Sequence, residues 1–484
     1  MRKFNYRLVA RLTGVLLCWL AAAMVLPLGV SLYAADGAQF SLAFSALLIL
    51  MAGLLLRNIL GRHADYDIRD RESIWIAMTI WLVVPLCGTL PYVFSGGTFF
   101  SDALFESFSG FTTTGSSVVS RPEELPAGLL VYRAMTQWIG GLGLLLFVVA
   151  ILRKLGVAAG GLYSAEFSGT QQRKLHPRLS RSVSRMWRIY IIVTLAMVVV
   201  LLVQGVPVVD AMALAFSTVS TGGFVTHSAG VAQFGSGVMA VLVVFMFLSG
   251  VNVALLYRFF TLRWRHLWRD EELRVYVILF LVAVAISTVA FTVQGNGAGQ
   301  AFSYSLFHIA STMSTCGYYL PSLPRWSLLV SALTFVLIVV GASAGSTGGG
   351  IKLRRIIVLA KYIGNYFTRM LHPGAVFRVK VSGEVVEESY IQKVFAFVFL
   401  YIAFIVAGAF VLTLCGTSIP EAVCMAAANV SNLGPSPLIN NLGGNLDYAL
   451  LPVAGKLTLV VLMLAGRIEI FALVAVFSPA YWRK

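Results

Sequence analysis

Apolar runs near the ~20 residues that cross a bilayer as a helix recur along the chain at 10–33, 41–58, 74–95, 127–152, 187–205, 236–260, 274–294, 327–352, 392–415 and 450–478. The pattern predicts ten spans in one integral membrane domain, with no Pro/Ser-rich or charged linker separating independent modules. The first run, behind Met1-Arg2-Lys3, exceeds the ~7–15 residues of a signal-peptide core and is read as an uncleaved first span.

Between the third and fourth spans, and again in the outward connections that follow, stands a shorter apolar stretch of about a dozen residues, too short to cross. Aligned, these stretches are Asp102 to Gly115, Asp210 to Gly223, Tyr304 to Gly317 and Glu421 to Gly434, each with a spacing of 13. Four copies at a period of about 100 residues form an internal repeat. Each copy reads as outer-going span, short helix, glycine turn and inner-going span, so all share one orientation, unlike inverted transporter repeats.

Composition agrees: of 484 residues 58% are hydrophobic and 12% charged, with a mean hydropathy of +0.85, beyond what a soluble domain can solvate. A net charge of +16 raises nucleic acid as a partner, but 31 of the 36 Lys and Arg fall in clusters at 1–11, 57–72, 153–188, 258–274, 352–393 and 483–484 instead of along one face. The alternate connections contain only Arg121 and Arg325. The clusters mark the cytoplasmic side, place both termini inside, and suit anionic lipid headgroups or an acidic cytosolic partner. Cys18, Cys87, Cys316, Cys415 and Cys424 show no C-x-x-C spacing and indicate neither a disulfide framework nor a zinc site. No paired carboxylates or Ser/His/Asp set suggests an enzyme.

A short helix that dips into the membrane and stops at a Ser/Thr-rich turn points its carbonyl end at mid-membrane, where its dipole favours a cation. Four such turns around one axis supply the ring of oxygens that replaces the hydration shell of potassium. The candidate oxygens belong to Thr112, Thr113, Thr114 and Gly115; Ser220, Thr221, Gly222 and Gly223; Ser314, Thr315, Cys316 and Gly317; and Ser431, Asn432, Leu433 and Gly434. The closing glycine allows a backbone angle that strains other residues. The competing reading, small residues that only pack helices closely, does not explain four loops at matched spacing. Asp102, Asp210 and Glu421, at the outer start of the short helices, can cap N–H groups or draw cations inward.

The eighth span carries Gly341, Gly345, Gly348, Gly349 and Gly350 within ten residues, each costing ~1 kcal/mol in a helix interior. A break is expected there, placing a flexible polar segment below the third turn as a gate, with close packing through Gly341 and Gly345 as the alternative. Arg467, deep in the last span, needs a partner, sought in that broken segment because Glu469 is on another helical face. His308 is read as packed or hydrogen-bonded.

The motifs Phe108-Ser-Gly-Phe-Thr-Thr-Thr-Gly115, Ser220-Thr-Gly-Gly-Phe-Val-Thr-His227, Ala344-Gly-Ser-Thr-Gly-Gly-Gly-Ile-Lys352, Asn432-Leu-Gly-Pro435 and Gly466-Arg-Ile-Glu469 resemble the Trk/Ktr/HKT superfamily of potassium transporters, over nearly the whole chain. The resemblance implies an all-α polytopic membrane protein: two leading helices (1–70) and four pseudo-fourfold pore repeats at 71–180, 181–270, 271–385 and 386–484. It further implies a homodimer in the bacterial inner membrane, a cytosolic nucleotide-binding regulatory ring, and a gate at about 341–350 that Arg467 helps to hold shut. The filter glycines by position are Gly115, Gly223, Gly317 and Gly434. Potassium is then the cargo, with no organic cofactor in this chain. The alternatives are a symporter coupled to sodium or protons and a non-transporting receptor or scaffold.

Overall fold

The computed structural model describes residues 5–62, 70–96, 98–143, 179–260, 268–320, 326–372, 378–434, 447–468 and 470–477. The far part of the span expected near 127–152, part or all of each basic cluster, Arg325, Pro435 and Glu469 lie outside these residues. The described chain is helix joined by turns, with one small antiparallel hairpin, Lys380–Val381 against Glu384–Val385.

Among the described residues seven helices are long and apolar enough to cross a membrane: Tyr6–Ala34, Gln39–Leu60, Glu72–Phe94, Ser184–Val203, Gly230–Ser249, Glu271–Val293 and Glu388–Leu414. Their outward faces carry large exposed apolar side chains such as Leu195, Val289 and Phe399, as a lipid-facing surface requires. Tyr6–Ala23 packs along Gln39–Leu55, and its Gly14 leaves a Cβ no room against Gly53 O and Arg57 N, both 2.6 Å away. Asp36, in the turn joining this pair, accepts a hydrogen bond from Gly128 N–H at 2.7 Å and ties the pair to the helix starting at Ala127.

The other three expected spans are shorter helices, Ala127–Gly141 of 15 residues, Leu328–Val340 of 13 and Val453–Arg467 of 15. At 1.5 Å per residue, 13 residues reach about 20 Å, less than a ~30 Å hydrocarbon core. The four short helices lie at Phe100–Phe111, Val208–Val219, Ala298–Ser314 and Ile419–Val430.

The helix that follows each of these stops early. It ends at Gly141, at Ser249 with a new helix from Val253, at Val340 with a new helix from Leu353, and at Arg467 with a new helix from Ile470. The sequence reading placed a break only in the third; the structure interrupts all four. The cause is close approach to the ends of the short helices. A Cβ on Gly140 would overlap Phe111 O, on Gly141 it would lie 2.6 Å from Ser220 Cβ, and on Gly250 3.2 Å from Ser314 Cα; on Gly466 it would overlap Val430 O. Glycine is what fits, and glycine weakens the helix there.

Gly140→Ala is therefore expected to push Phe100–Phe111 off its seat, at about 1–3 kcal/mol for overpacking. The measurement is the melting temperature of the purified protein in detergent; an unchanged value would show that the contact yields freely.

Candidate functional site: a ring of four turns

The four short helices end in the same way. Thr113, Thr221, Thr315 and Asn432 take left-handed conformations, φ 56°, 57°, 60° and 50°, and two residues later Gly115, Gly223, Gly317 and Gly434 follow at 81°, 82°, 79° and 83°. In each, the left-handed residue donates its N–H to a carbonyl three residues back and the next residue to one five residues back. The pairs are Thr113 to Gly110 (2.9 Å) and Thr114 to Ser109 (2.9 Å), Thr221 to Thr218 (3.0 Å) and Gly222 to Ser217 (2.7 Å). The other two turns repeat this with Thr315 to Thr312 (3.1 Å) and Cys316 to Ser311 (3.0 Å), and Asn432 to Asn429 (3.2 Å) and Leu433 to Ala428 (2.9 Å). This pair of hydrogen bonds closes a helix and satisfies its last carbonyls without water.

Three of the left-handed residues are threonine, a β-branched type for which that conformation is strained, and strain of this kind collects at functional sites. Asn432 tolerates the left-handed region best, so the fourth turn, the one without Thr, is the least strained. Its amide also donates to Thr114 Oγ1 at 2.9 Å and Met463 O at 3.0 Å.

The turns touch in sequence around an axis. A Cβ on Gly434 would overlap Thr114 O, on Gly115 it would overlap Gly222 O, and on Gly223 it would overlap Cys316 O. Turn four thus abuts turn one, one abuts two and two abuts three, each through its closing glycine. All sixteen candidate residues, Thr112–Gly115, Ser220–Gly223, Ser314–Gly317 and Ser431–Gly434, are buried. On one side of the ring an open cleft of about 270 Å³ reaches Gly115 and Gly223 and is walled by Tyr318, Tyr448 and Asp447. On the other, a small pocket of about 30 Å³ lies between Gly348–Gly350, Asn432 and Arg467.

That pocket is lined in part by the glycine-rich segment, which is neither helical nor loose. Gly341 and Gly350 fold against each other, with Ala342 N–H donating to Gly349 O (3.3 Å), Ile351 N–H to Val339 O (3.1 Å) and Lys352 N–H to Val340 O (3.0 Å). Gly349 N–H donates to Thr315 Oγ1 (2.9 Å). Gly348 lies under Ser314 O, and a Cβ on Gly349 would overlap Ser431 O. Gly345 packs on Asn252, its carbonyl accepting from Val253 N–H (3.1 Å). Buried Glu272 accepts from Ala344 N–H at 2.6 Å.

Arg467 reaches the same segment: Nη1 donates to Thr347 O at 3.1 Å, the partner sought there from the sequence. It also grips the break after the first turn's helix, Nη2 donating to Gly140 O (2.5 Å) and Gly141 O (2.9 Å), with Trp81 5.5 Å from the guanidinium.

The acidic residues at the outer helix starts divide. Glu421 caps, accepting from Ser418 N–H and Oγ at 3.0 and 2.7 Å. Asp102 instead pairs with Lys456 (2.6 Å), and Asp210 with His227 (3.2 Å). Nearby, Ser228 donates to Glu123 from backbone and hydroxyl (2.7 and 2.6 Å), holding that carboxyl below its ordinary range. His308 is buried, with Nε2 2.9 Å from Thr334 Oγ1 and its ring 4.2 Å from Trp326.

Glu106, Arg133 and Gln137 escaped the sequence reading. Arg133 and Glu106 form an ion pair at 2.6 Å, each side chain 2% exposed. Arg133 also donates to Ser117 Oγ (3.0 Å) and Val225 O (3.3 Å) and stacks 4.3 Å over Phe224, while Glu106 accepts from Val118 N–H (3.2 Å). The pair thus clamps the chain leaving turns one and two. Arg133, like Arg467, is a charge inside an apolar span, the signal that marks it in the sequence, and Gln137 lies one helical turn on.

Arg133→Met, which strands the buried Glu106 carboxylate, is expected to cost about 3–5 kcal/mol. Thermal unfolding in detergent reads this, and Arg133→Met with Glu106→Gln should recover part of the loss; equal losses in both would refute the pairing as its cause.

The profile of the TrkH family, described as cation transport protein, matches residues 37–484. The Trk system potassium uptake protein TrkH of Salmonella typhimurium (strain LT2) is 33% identical over 99% of this chain and all of that protein. TrkG of Escherichia coli (strain K12), also a Trk system potassium uptake protein, is 28% identical over the full length of both. The crystal structure of the potassium transporter TrkH from Vibrio parahaemolyticus superposes with a TM-score of 0.86 at 29% identity, covering 99% of this chain and 100% of that one. Fold and sequence agree, and the chain belongs to the TrkH family of cation transport proteins.

Proposed function

We propose that this chain takes up potassium across the bacterial inner membrane, through a filter made by residues 112–115, 220–223, 314–317 and 431–434. The observation that carries the reading is the set of four turns with one backbone conformation, turn four held against one, one against two and two against three through a glycine with positive φ. Four helix C-termini directed at one axis favour a cation there, and a ring of carbonyls can replace its hydration shell. Inward flux follows the membrane potential, worth ~2.3 kcal/mol per charge per 100 mV. In this reading both termini face the cytoplasm, and the chain divides into two leading helices (1–70) and pore repeats at 71–180, 181–270, 271–385 and 386–484.

The gate in this proposal is the segment 341–350, held shut by Arg467 and acted on by a cytosolic nucleotide-binding regulatory ring beneath a homodimer. Supporting it, the pocket beside the segment and Arg467 measures about 30 Å³, against about 270 Å³ for the cleft that reaches Gly115 and Gly223. Each charge-assisted hydrogen bond from Arg467 is worth about 1.5–3 kcal/mol, enough to bias a two-state element strongly.

Reconstituted in liposomes, the chain should carry potassium with a reversal potential that follows potassium and ignores sodium and pH; a reversal potential set by either would favour a symporter. Gly115→Ser, which places a side chain on the Gly222 carbonyl, is expected to lower the potassium-to-sodium ratio about tenfold, equal to ~1.4 kcal/mol. An unchanged ratio would remove Gly115 from the filter. Arg467→Ala should raise potassium flux about tenfold through loss of bonds to Gly140, Gly141 and Thr347; flux at or below the wild-type level would refute its role as a lock.

A further inference from the structure

Turn two is unlike the other three at one position. The residue before its filter glycine is Gly222, where the others have Thr114, Cys316 and Leu433. The space a side chain would take there is not empty: it holds Gln137, whose Oε1 and Cγ lie 2.5 and 2.8 Å from where a Gly222 Cβ would stand. Gln137 comes from the helix Ala127–Gly141, which follows turn one, and it is 0% exposed.

Both ends of its amide are spent on turn two. Nε2 donates to Gly222 O at 2.8 Å, and Oε1 accepts from Phe224 N–H at 3.2 Å, so the two bonds bracket Gly223. The Gly222 oxygen is also the one against which Gly115 of turn one is packed. A carbonyl oxygen has two lone pairs, so this one can accept from Gln137 and still face an ion.

We propose that Gln137 is a selectivity-determining residue: its amide stands in for the side chain turn two lacks and sets the position and field strength of the Gly222 carbonyl. The inference rests on the potassium filter proposed above. Cation preference in a carbonyl ring depends on the number of oxygens and the strength of their dipoles. An oxygen shared with an amide donor presents a weaker field than its counterparts, and an oxygen released from the amide is free to tilt toward a smaller ion. Gln137 is thus a positioning residue for a carbonyl of turn two, supplied by the unit of turn one.

The test uses the full-length chain in proteoliposomes, with potassium and sodium permeabilities measured on the same vesicles. Gln137→Leu removes both hydrogen bonds at similar volume and should lower the potassium-to-sodium ratio several-fold, on the order of tenfold. Gly222→Ser alone, which collides with Gln137, should lower it as well. Gln137→Ala combined with Gly222→Ser, which clears the space and refills it from turn two itself, should be more selective than either single change. A role in folding alone would reduce the amount of protein while leaving the ratio untouched, and that result overturns the proposal. So does a double variant no better than Gln137→Ala, a comparison that decides the matter even if Gln137→Leu fails to reach the membrane. A wild-type chain without selective potassium flux would instead remove the filter reading, and the role of Gln137 with it.

Discussion

Backbone that leaves the helix at membrane depth must satisfy its N–H and C=O groups without bulk water, and the centre of this protein follows from that demand. Each of the four short helices ends by folding its last carbonyls back onto the turn, through the same pair of hydrogen bonds. The segment 341–352 meets the demand by doubling back on itself and borrowing Thr315, Glu272 and Gly250. Arg467 meets it at two helix breaks at once, donating hydrogen bonds to Gly140 O and Gly141 O at the end of one interrupted helix and to Thr347 O in the break of another.

Within that shared solution the turns are backed differently. Turns one and two are held by Gln137 and by the Glu106–Arg133 pair. Behind turn three stand the hydroxyls of Thr218 and Tyr318, 3.1 Å apart, and behind turn four the hydroxyls of Tyr401 and Ser431, 2.6 Å apart. The conformation of the ring is fourfold while its support is not. A ring made from one chain can keep its backbone geometry constant because each neighbour is free to diverge in how it supplies the missing hydrogen bond.

Much of this was legible in the sequence. Seven of the expected spans, the four stretches with 13-residue spacing, the broken helix before Leu353 and the meeting of Arg467 with that break follow from hydropathy, spacing and the cost of a charge in lipid. What was not legible has a common cause. Nothing in a run of threonines announces that Thr113, Thr221 and Thr315 take positive φ, because local propensity opposes it and the ring imposes it. The breaks after Gly141 and Ser249 come from contacts with the ends of short helices elsewhere in the chain, and one or two glycines there carry a weaker local signal than the run in 341–350. The roles of Asp102 and Asp210 turned on partners, Lys456 and His227, that spacing along one helix cannot reveal.

The pairing of Asp102 with Lys456 joins residues 354 positions apart, and Asn432 reaches Thr114 across 318. The first turn is therefore completed by the last helices of the chain. During synthesis at ~5–20 residues per second, Asp102 waits roughly 20–70 s for Lys456 to be made, already committed to the membrane. A nascent chain truncated before Ile419 holds the Asp102 carboxylate without that cation and three turns without the fourth. The ring thus closes only once the fourth turn is made, so the first turn spends most of synthesis with one flank open.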